Sequence, residues 1–291
     1  MEKVLITGAT GLLGSSLAPY LTQRAYAVVT NARATQADWM FDLSNRSMSY
    51  QVLNEIRPDV IINLVGLTNV QLCEEQPHAA YLGNTRAVES LTHWIATTHA
   101  NCHLIQISTD HVYDGNGPHT EDEVILRNTY AFSKYAGELA AARVPSTILR
   151  TNFVGRSRAT HRVSFADWLY HSLRDAKPIQ VVSDVYFSPL SISTLVEMIA
   201  LSVERRPLGV YNLGSQNGMS KADFAYAFAA CLGLPTTTMR RIEASQAEFL
   251  KVYRPKDMRM DSRKWESLLQ INLPHLADVI HGIAGEYENA T

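Results

Sequence analysis

The stretch Val4-Leu5-Ile6-Thr7-Gly8-Ala9-Thr10-Gly11-Leu12-Leu13-Gly14 constrains this chain more than any other. A β-branched apolar run passes straight into a GxxGxxG turn and then into a helical pattern. Glycines at that spacing let backbone N–H groups approach a pyrophosphate at the positive end of a helix. A glycine-rich strand-to-helix turn can also serve packing alone, so the setting carries the inference: strand first, helix next, at the first strand of the fold. Gly8, Thr10, Gly11, Leu12, Leu13 and Gly14 are the candidate cofactor-binding residues of this turn.

Further along, short β-branched runs at 27–30, 60–64, 104–108 and 147–149 alternate with amphipathic stretches such as 79–97. That is the βαβ order, and unbroken apolar strands such as Val60-Ile61-Ile62 belong to a parallel sheet covered on both faces. The expected fold class is α/β, a Rossmann-type doubly wound parallel sheet with a smaller mixed α/β C-terminal substrate lobe. Residues 1–150 are expected to form the dinucleotide-binding domain, completed by parts of 186–213, and 151–291 to form mainly the substrate lobe. That lobe should carry strands at 179–182 and 210–213 and helices near 192–203, 221–232, 262–269 and 276–287.

Charge and composition exclude several function classes. The net charge is −2 with Lys and Arg scattered singly, which is not the footprint of a general nucleic-acid binder. No run of about 18 apolar residues is available to span a bilayer. The opening Met1-Glu2-Lys3 goes directly into a strand, and the three cysteines, Cys73, Cys102 and Cys231, show neither CxxC nor metal-ligand spacing. Both features point to a reducing cytoplasm, a small-molecule ligand and no metal.

The end of the second strand decides which nicotinamide cofactor fits. A carboxylate there would accept hydrogen bonds from a ribose 2′-hydroxyl and repel a 2′-phosphate. The segment Val28-Val29-Thr30-Asn31-Ala32-Arg33 ends without an acid and offers a guanidinium that can clamp a phosphate, which favours NADP(H). A solvated loop arginine is the other reading of Arg33, and both stay open on sequence alone. Asn31 joins the candidate cofactor residues, as do Asp42 and Leu43, placed to touch the adenine edge and face, and the strand-end residues Leu64, Val65 and Gly66.

Ser108-Thr109-Asp110 ends one strand, and Tyr130 and Lys134 lie four apart at the start of the next helical pattern, on one face. A neighbouring ammonium lowers the pKa of a phenol, so Tyr130 could exchange a proton with a carbonyl oxygen while Lys134 also holds the nicotinamide ribose. Thr109 could orient the same oxygen. YxxxK spacing is common by itself; its order after the glycine turn and two strand ends is what a hydride-transfer site requires.

With these residues the chain resembles the extended short-chain dehydrogenases/reductases, and among them the dTDP-4-dehydrorhamnose reductases. Beyond GATGLLG and YAFSK, the likeness runs through Val70 to Pro77 with Asn84, through STDHVYDGNG, through Arg150-Thr151-Asn152-Phe153-Val154, through Asp184 with Ser188-Pro189, and through Arg254-Pro255-Lys256-Asp257. The resemblance implies NADPH-dependent reduction of the 4-keto group of a nucleotide-linked 6-deoxy sugar. It implies Thr109, Tyr130 and Lys134 as the catalytic triad, Asn84 as the helix asparagine that helps hold a proton-relay water, and a homodimer. The candidate substrate residues are Thr68, Val70, Asp110, His111, Asn152, Phe153 and Arg254. Arg254 could instead pair with Asp257 or Asp261 and only tie the lobe together.

His111 stands where these reductases usually carry tyrosine, and Asn152-Phe153 replaces serine and tryptophan, so the identity of the sugar and its nucleotide is left open. Two rival functions stand beside this one. A cofactor-loaded regulatory protein resembling the non-catalytic subunit of methionine adenosyltransferase would retain the same tyrosine and lysine. An epimerase/reductase like GDP-fucose synthase would need a further acid/base pair, and Cys102 with His103 sits at a strand start, the wrong end of the sheet.

Overall fold

The computed structural model describes residues 1–34, 36–98 and 100–288; residues 289–291 of the expected substrate lobe lie outside the described residues. Its chain divides into two compact units. The first comprises Met1–Thr109, Asn128–Arg150 and Val196–Val210, and the second comprises Asp110–Arg127, Thr151–Leu195 and the chain from Tyr211 onward.

The first unit is built on β1 (Lys3–Thr7), β2 (Ala27–Ala32), β3 (Trp39–Met40), β4 (Val60–Asn63), β5 (His103–Ile107) and β6 (Ser146–Thr151). With the strand Gly209–Leu213 at one edge they make a seven-stranded sheet, read from that edge as β6, β5, β4, β1, β2, β3. The pairs β1/β2, β1/β4, β2/β3, β4/β5 and β5/β6 are parallel. The chain leaves β1 in one direction for β2 and returns on its other side to β4, so a topological switch lies between β1 and β4, where open α/β sheets bind ligands.

Strand burial explains the absence of polar alternation in these runs: Val4, Leu5, Ile6, Val60, Ile61, Ile62, Leu104 and Ile105 are wholly buried. On one face Leu5, Ile61, Leu104 and Ile148 pack with Leu53 of the helix Arg46–Ile56 and Val88, Leu91 and Trp94 of the helix Ala87–Thr98. At the carboxyl ends the strands turn polar together. Thr7 Oγ1 donates to Asn63 Oδ1 at 2.6 Å, and Asn63 Nδ2 donates to Gln106 Oε1 at 2.7 Å, all three buried.

The continuous helix expected over 79–97 is interrupted: Pro77–Tyr81 is α-helical, Leu82–Arg86 forms a π turn, and Ala87–Thr98 resumes the α-helix.

The second unit pairs Ile179–Val182 with Met239–Ile242 in parallel and surrounds them with the helices Phe165–Arg174, Lys221–Cys231, Arg263–Leu269 and Leu276–Glu288. Its core is aromatic: Phe187, Phe224, Phe228 and Tyr287 pack with Leu169, Ile280 and Ile283. Among the described residues no helix is long and apolar enough to cross a membrane.

Candidate active site

The glycine turn occupies residues 8–13, and the helix Gly14–Gln23 follows it directly. Gly8 has φ +70°, a left-handed conformation that a side chain would strain, and a Cβ there would come within 3.1 Å of the Leu64 backbone. At Gly14 a Cβ would lie 2.6 Å from Ala9 Cα, so this glycine lets the helix close on the turn. Gly11 N–H donates back to Gly8 O at 3.0 Å, shaping the loop. Among the described residues the N–H groups of Leu12 and Leu13 donate to no protein acceptor, which suits an anion at the helix start. Thr10 beside them is exposed.

Beyond β2, Arg33 is exposed and makes no ion pair among the described residues. An acid does stand near this strand, but it is occupied: Asp38 Oδ2 accepts from Thr30 N–H and Thr30 Oγ1, each at 2.8 Å. Asp42 is exposed, with Oδ1 accepting from Ser44 N–H at 2.8 Å.

Two sequence-assigned cofactor residues have different tasks. The Asn31 side-chain amide is buried and donates to the carbonyls of Trp39 at 3.3 Å and Phe41 at 3.2 Å, so it holds β3 and the chain after it in place. Leu43 is 2 % exposed and belongs to the apolar layer between sheet and helices, which leaves it no face for an adenine ring.

Tyr130 and Lys134 are carried by the helix Thr129–Ala141, whose N-cap, Asn128, accepts from Ala131 N–H. Both side chains are buried, as is Thr109. Lys134 Nζ donates to Ile107 O, the last carbonyl of β5, at 2.7 Å. Burial pushes this ammonium down to about 8, while Glu138 one turn further along the helix opposes the shift. Glu138 is committed on three sides: it accepts from Arg150 Nη2 at 2.7 Å and Nε at 3.1 Å, and from Ser108 Oγ. The Glu138 and Arg150 side chains are each 3 % exposed, so this is a fully desolvated ion pair whose loss on one side would leave an uncompensated charge.

Asn84 lies in the π turn, 1 % exposed. Its Oδ1 accepts from Leu67 N–H at 2.7 Å, and its Nδ2 donates to Leu67 O at 3.0 Å and Ser133 Oγ at 2.9 Å. Both amide hydrogens are spent on protein, so the Asn84 side chain clamps the loop after β4 to the Tyr130 helix. The side chain that Gly137 lacks makes room for this: a Cβ there would come 2.4 Å from Asn84 O. Gly66 is equally tight, since a Cβ would lie 3.0 Å from Asn84 Oδ1 and 3.7 Å from Lys134 Nζ. Leu64 and Val65 are half-buried beside it and Thr68 is exposed, whereas Val70 is buried in the short helix Val70–Glu75.

Within the second unit, Arg254 lines a cavity of about 810 Å³ together with Phe165, Trp168, Val181, Lys221 and Leu250. Asp257 and Asp261 are not its partners: Asp257 pairs with Arg259 at 2.5 Å, and Arg263 Nε donates to Asp261 Oδ1 at 2.9 Å. The Arg254 guanidinium donates only to Val252 O at 3.3 Å among the described residues, and burial lowers its pKa. Asn152 Nδ2 donates to Asp110 Oδ2 at 2.6 Å, and Phe153 is half-buried. Burial, reinforced by the charges of Lys221 and Arg254, pushes the His111 imidazole down to about 3, so it is neutral at physiological pH.

The RmlD substrate binding domain model matches residues 1–288. The chain belongs to the RmlD family of extended short-chain dehydrogenases/reductases. It is 27 % identical over 289 residues, 93 % of each chain, to the dTDP-4-dehydrorhamnose reductase of Escherichia coli (strain K12). It is 28 % identical over 244 residues, 82 % of each, to the spore coat polysaccharide biosynthesis protein SpsK of Bacillus subtilis (strain 168). The dTDP-4-dehydrorhamnose reductase of Bacillus anthracis str. Ames, solved in complex with NADP, superposes with a TM-score of 0.87 at 25 % identity, covering 98 % of this chain and 99 % of that one.

In this RmlD-family chain Cys102 and His103 offer no second acid/base pair. His103, at the start of β5, is bonded to Thr147 Oγ1 at 2.7 Å, and burial holds its pKa near 4 and that of Cys102 near 12.

Proposed function

We propose that this chain uses NADPH to reduce the 4-keto group of a nucleotide-linked 6-deoxy sugar. The observation that carries the reading is the fastening of the Tyr130 helix to β5 through Lys134 Nζ and Ile107 O, at the carboxyl ends of the strands beside the glycine turn. The named activity of the Escherichia coli relative and the NADP bound to the Bacillus anthracis relative support it.

The turn fits a dinucleotide. Leu12 and Leu13 N–H groups would hold the pyrophosphate, Arg33 the 2′-phosphate, and Asp42 the adenine edge. When bound, NADPH supplies a hydride to the carbonyl carbon. Tyr130 gives its phenolic proton to the carbonyl oxygen, so that C–H and O–H bonds form as the C=O π bond is lost. Lys134 stabilises the phenolate left behind and holds the nicotinamide ribose, and Thr109 orients the reacting oxygen. Arg254 takes a phosphate of the nucleotide.

The test is NADPH oxidation by the purified chain given dTDP-4-keto-6-deoxy sugars, with product configuration read by NMR. Stoichiometric oxidation to a 4-hydroxy sugar is expected. NADPH binding without turnover on any such sugar would overturn the catalytic reading.

A further inference from the structure

Lys221 opens the helix Lys221–Cys231 and lines the same cavity as Arg254. Its Nζ lies 6.0 Å from the ring centroid of Phe165 and 5.8 Å from that of Phe187, against the cavity's aromatic wall, where Phe165 and Trp168 stack at 5.8 Å. Among the described residues the Lys221 ammonium makes no hydrogen bond and no ion pair; only its backbone N–H is engaged, donating to Val185 O at 2.9 Å. Asp110 acts on it from beyond ion-pair distance while bonded to Asn152. The capping of this helix is done by Ser220 and Asp223, so the ammonium is not needed there.

Three circumstances disfavour a cation at this position. It is desolvated, it sits at the positive end of a helix dipole, and Arg254 repels it. A protein that keeps two cations facing one cavity with no carboxylate at ion-pair distance among the described residues, and a neutral His111 beside them, gives up stability that an anionic ligand would return.

We propose that Lys221 and Arg254 together hold the diphosphate of the nucleotide sugar, and that Lys221 makes this cavity prefer a nucleoside diphosphate to a nucleoside monophosphate. This rests on the nucleotide-sugar reading above and adds a residue to it. Arg254 takes one phosphate, Lys221 the other, and the Phe165–Trp168 wall the apolar remainder.

Calorimetric titration of the full chain with dTDP and with dTMP tests it. The parent is expected to bind dTDP more tightly, with the steeper salt dependence. Lys221→Met should weaken dTDP about tenfold to a hundredfold, leave dTMP within about threefold and not lower the melting temperature, and Lys221→Arg should keep the parent's preference. A folded Lys221→Met that binds dTDP as the parent does, or loses both ligands equally, overturns the role of Lys221. Equal salt dependence for the two ligands in the parent overturns it without any variant. A parent that binds neither nucleotide removes the nucleotide-sugar reading itself.

Discussion

Lys134 and Ile107 are joined by a 2.7 Å hydrogen bond from ammonium to backbone carbonyl, so the side chain one turn after Tyr130 is anchored to the last residue of β5, two residues before Thr109. The position of the phenol thus depends on a charge, and Tyr130→Phe separates chemistry from architecture. Turnover should fall by at least about a hundredfold, the usual cost of a missing general acid. NADPH affinity, followed by fluorescence titration, should stay within about threefold. Near-parental turnover would remove Tyr130 as the proton donor.

The same ammonium predicts a pH limb. Lys134 has its pKa lowered to about 8 by burial, so raising pH through that value removes its proton, and kcat/KM for reduction should fall. Glu138 faces it along the helix and holds the value up; Asn84 in the π turn and Gly66 in the loop after β4 carry no charge. Glu138→Gln should therefore move the limb to lower pH. Stability runs the other way: the folded pKa lies below the ordinary 10.5, so the contribution of Lys134 to folding free energy rises with pH between about 8 and 10.5. Opposite slopes in the activity and melting profiles check this, and a Glu138→Gln limb that does not move sinks it.

At the cofactor end, Arg33→Ala should cost NADPH on the order of 1.5–3 kcal/mol, the value of a charge-assisted phosphate contact, while NADH is nearly unaffected. Dissociation constants for both cofactors decide it. Equal affinities in the parent would reduce Arg33 to a solvated residue.

For Arg254→Ala the expected outcome is a raised KM for the nucleotide sugar with NADPH affinity and melting temperature unchanged, because the guanidinium holds only the Val252 carbonyl among the described residues. A lowered melting temperature with an unchanged KM would make Arg254 a structural residue.

Much of the fold was readable because its signals are local. Strands buried on both faces announce themselves as unbroken apolar runs, and the turn at Gly8 to Gly14 combines a left-handed glycine with two close backbone approaches. What escaped depends on residues that meet only in space. Glu138 and Arg150 come from a helix and a strand, and neither position differs in type from many surface charges. The π turn carries Asn84 to the Leu67 peptide groups and the Ser133 hydroxyl that its amide engages, which no periodicity records. Asn31 and Leu43 read as cofactor contacts from their place at and beyond the end of β2; the carbonyls of Trp39 and Phe41 that engage the Asn31 amide, and the apolar layer that takes up Leu43, are met only in space. Arg254 was undecidable from sequence because two acids follow it, each taken by the arginine two residues beyond.

The buried ladder Thr7–Asn63–Gln106 has a consequence for how the sheet assembles. Side chains alternate faces along a strand, so sliding β4 by one residue against β1 would turn the Asn63 amide away from both partners and press it into apolar surroundings. Mispaired sheets are thereby penalised by an orphaned amide, whereas neighbouring Ile61 and Ile62 would tolerate the slip with modest loss. A residue with no part in the chemistry thus acts as a ruler during folding, making three strands finish level so that the loops leaving them start from one plane.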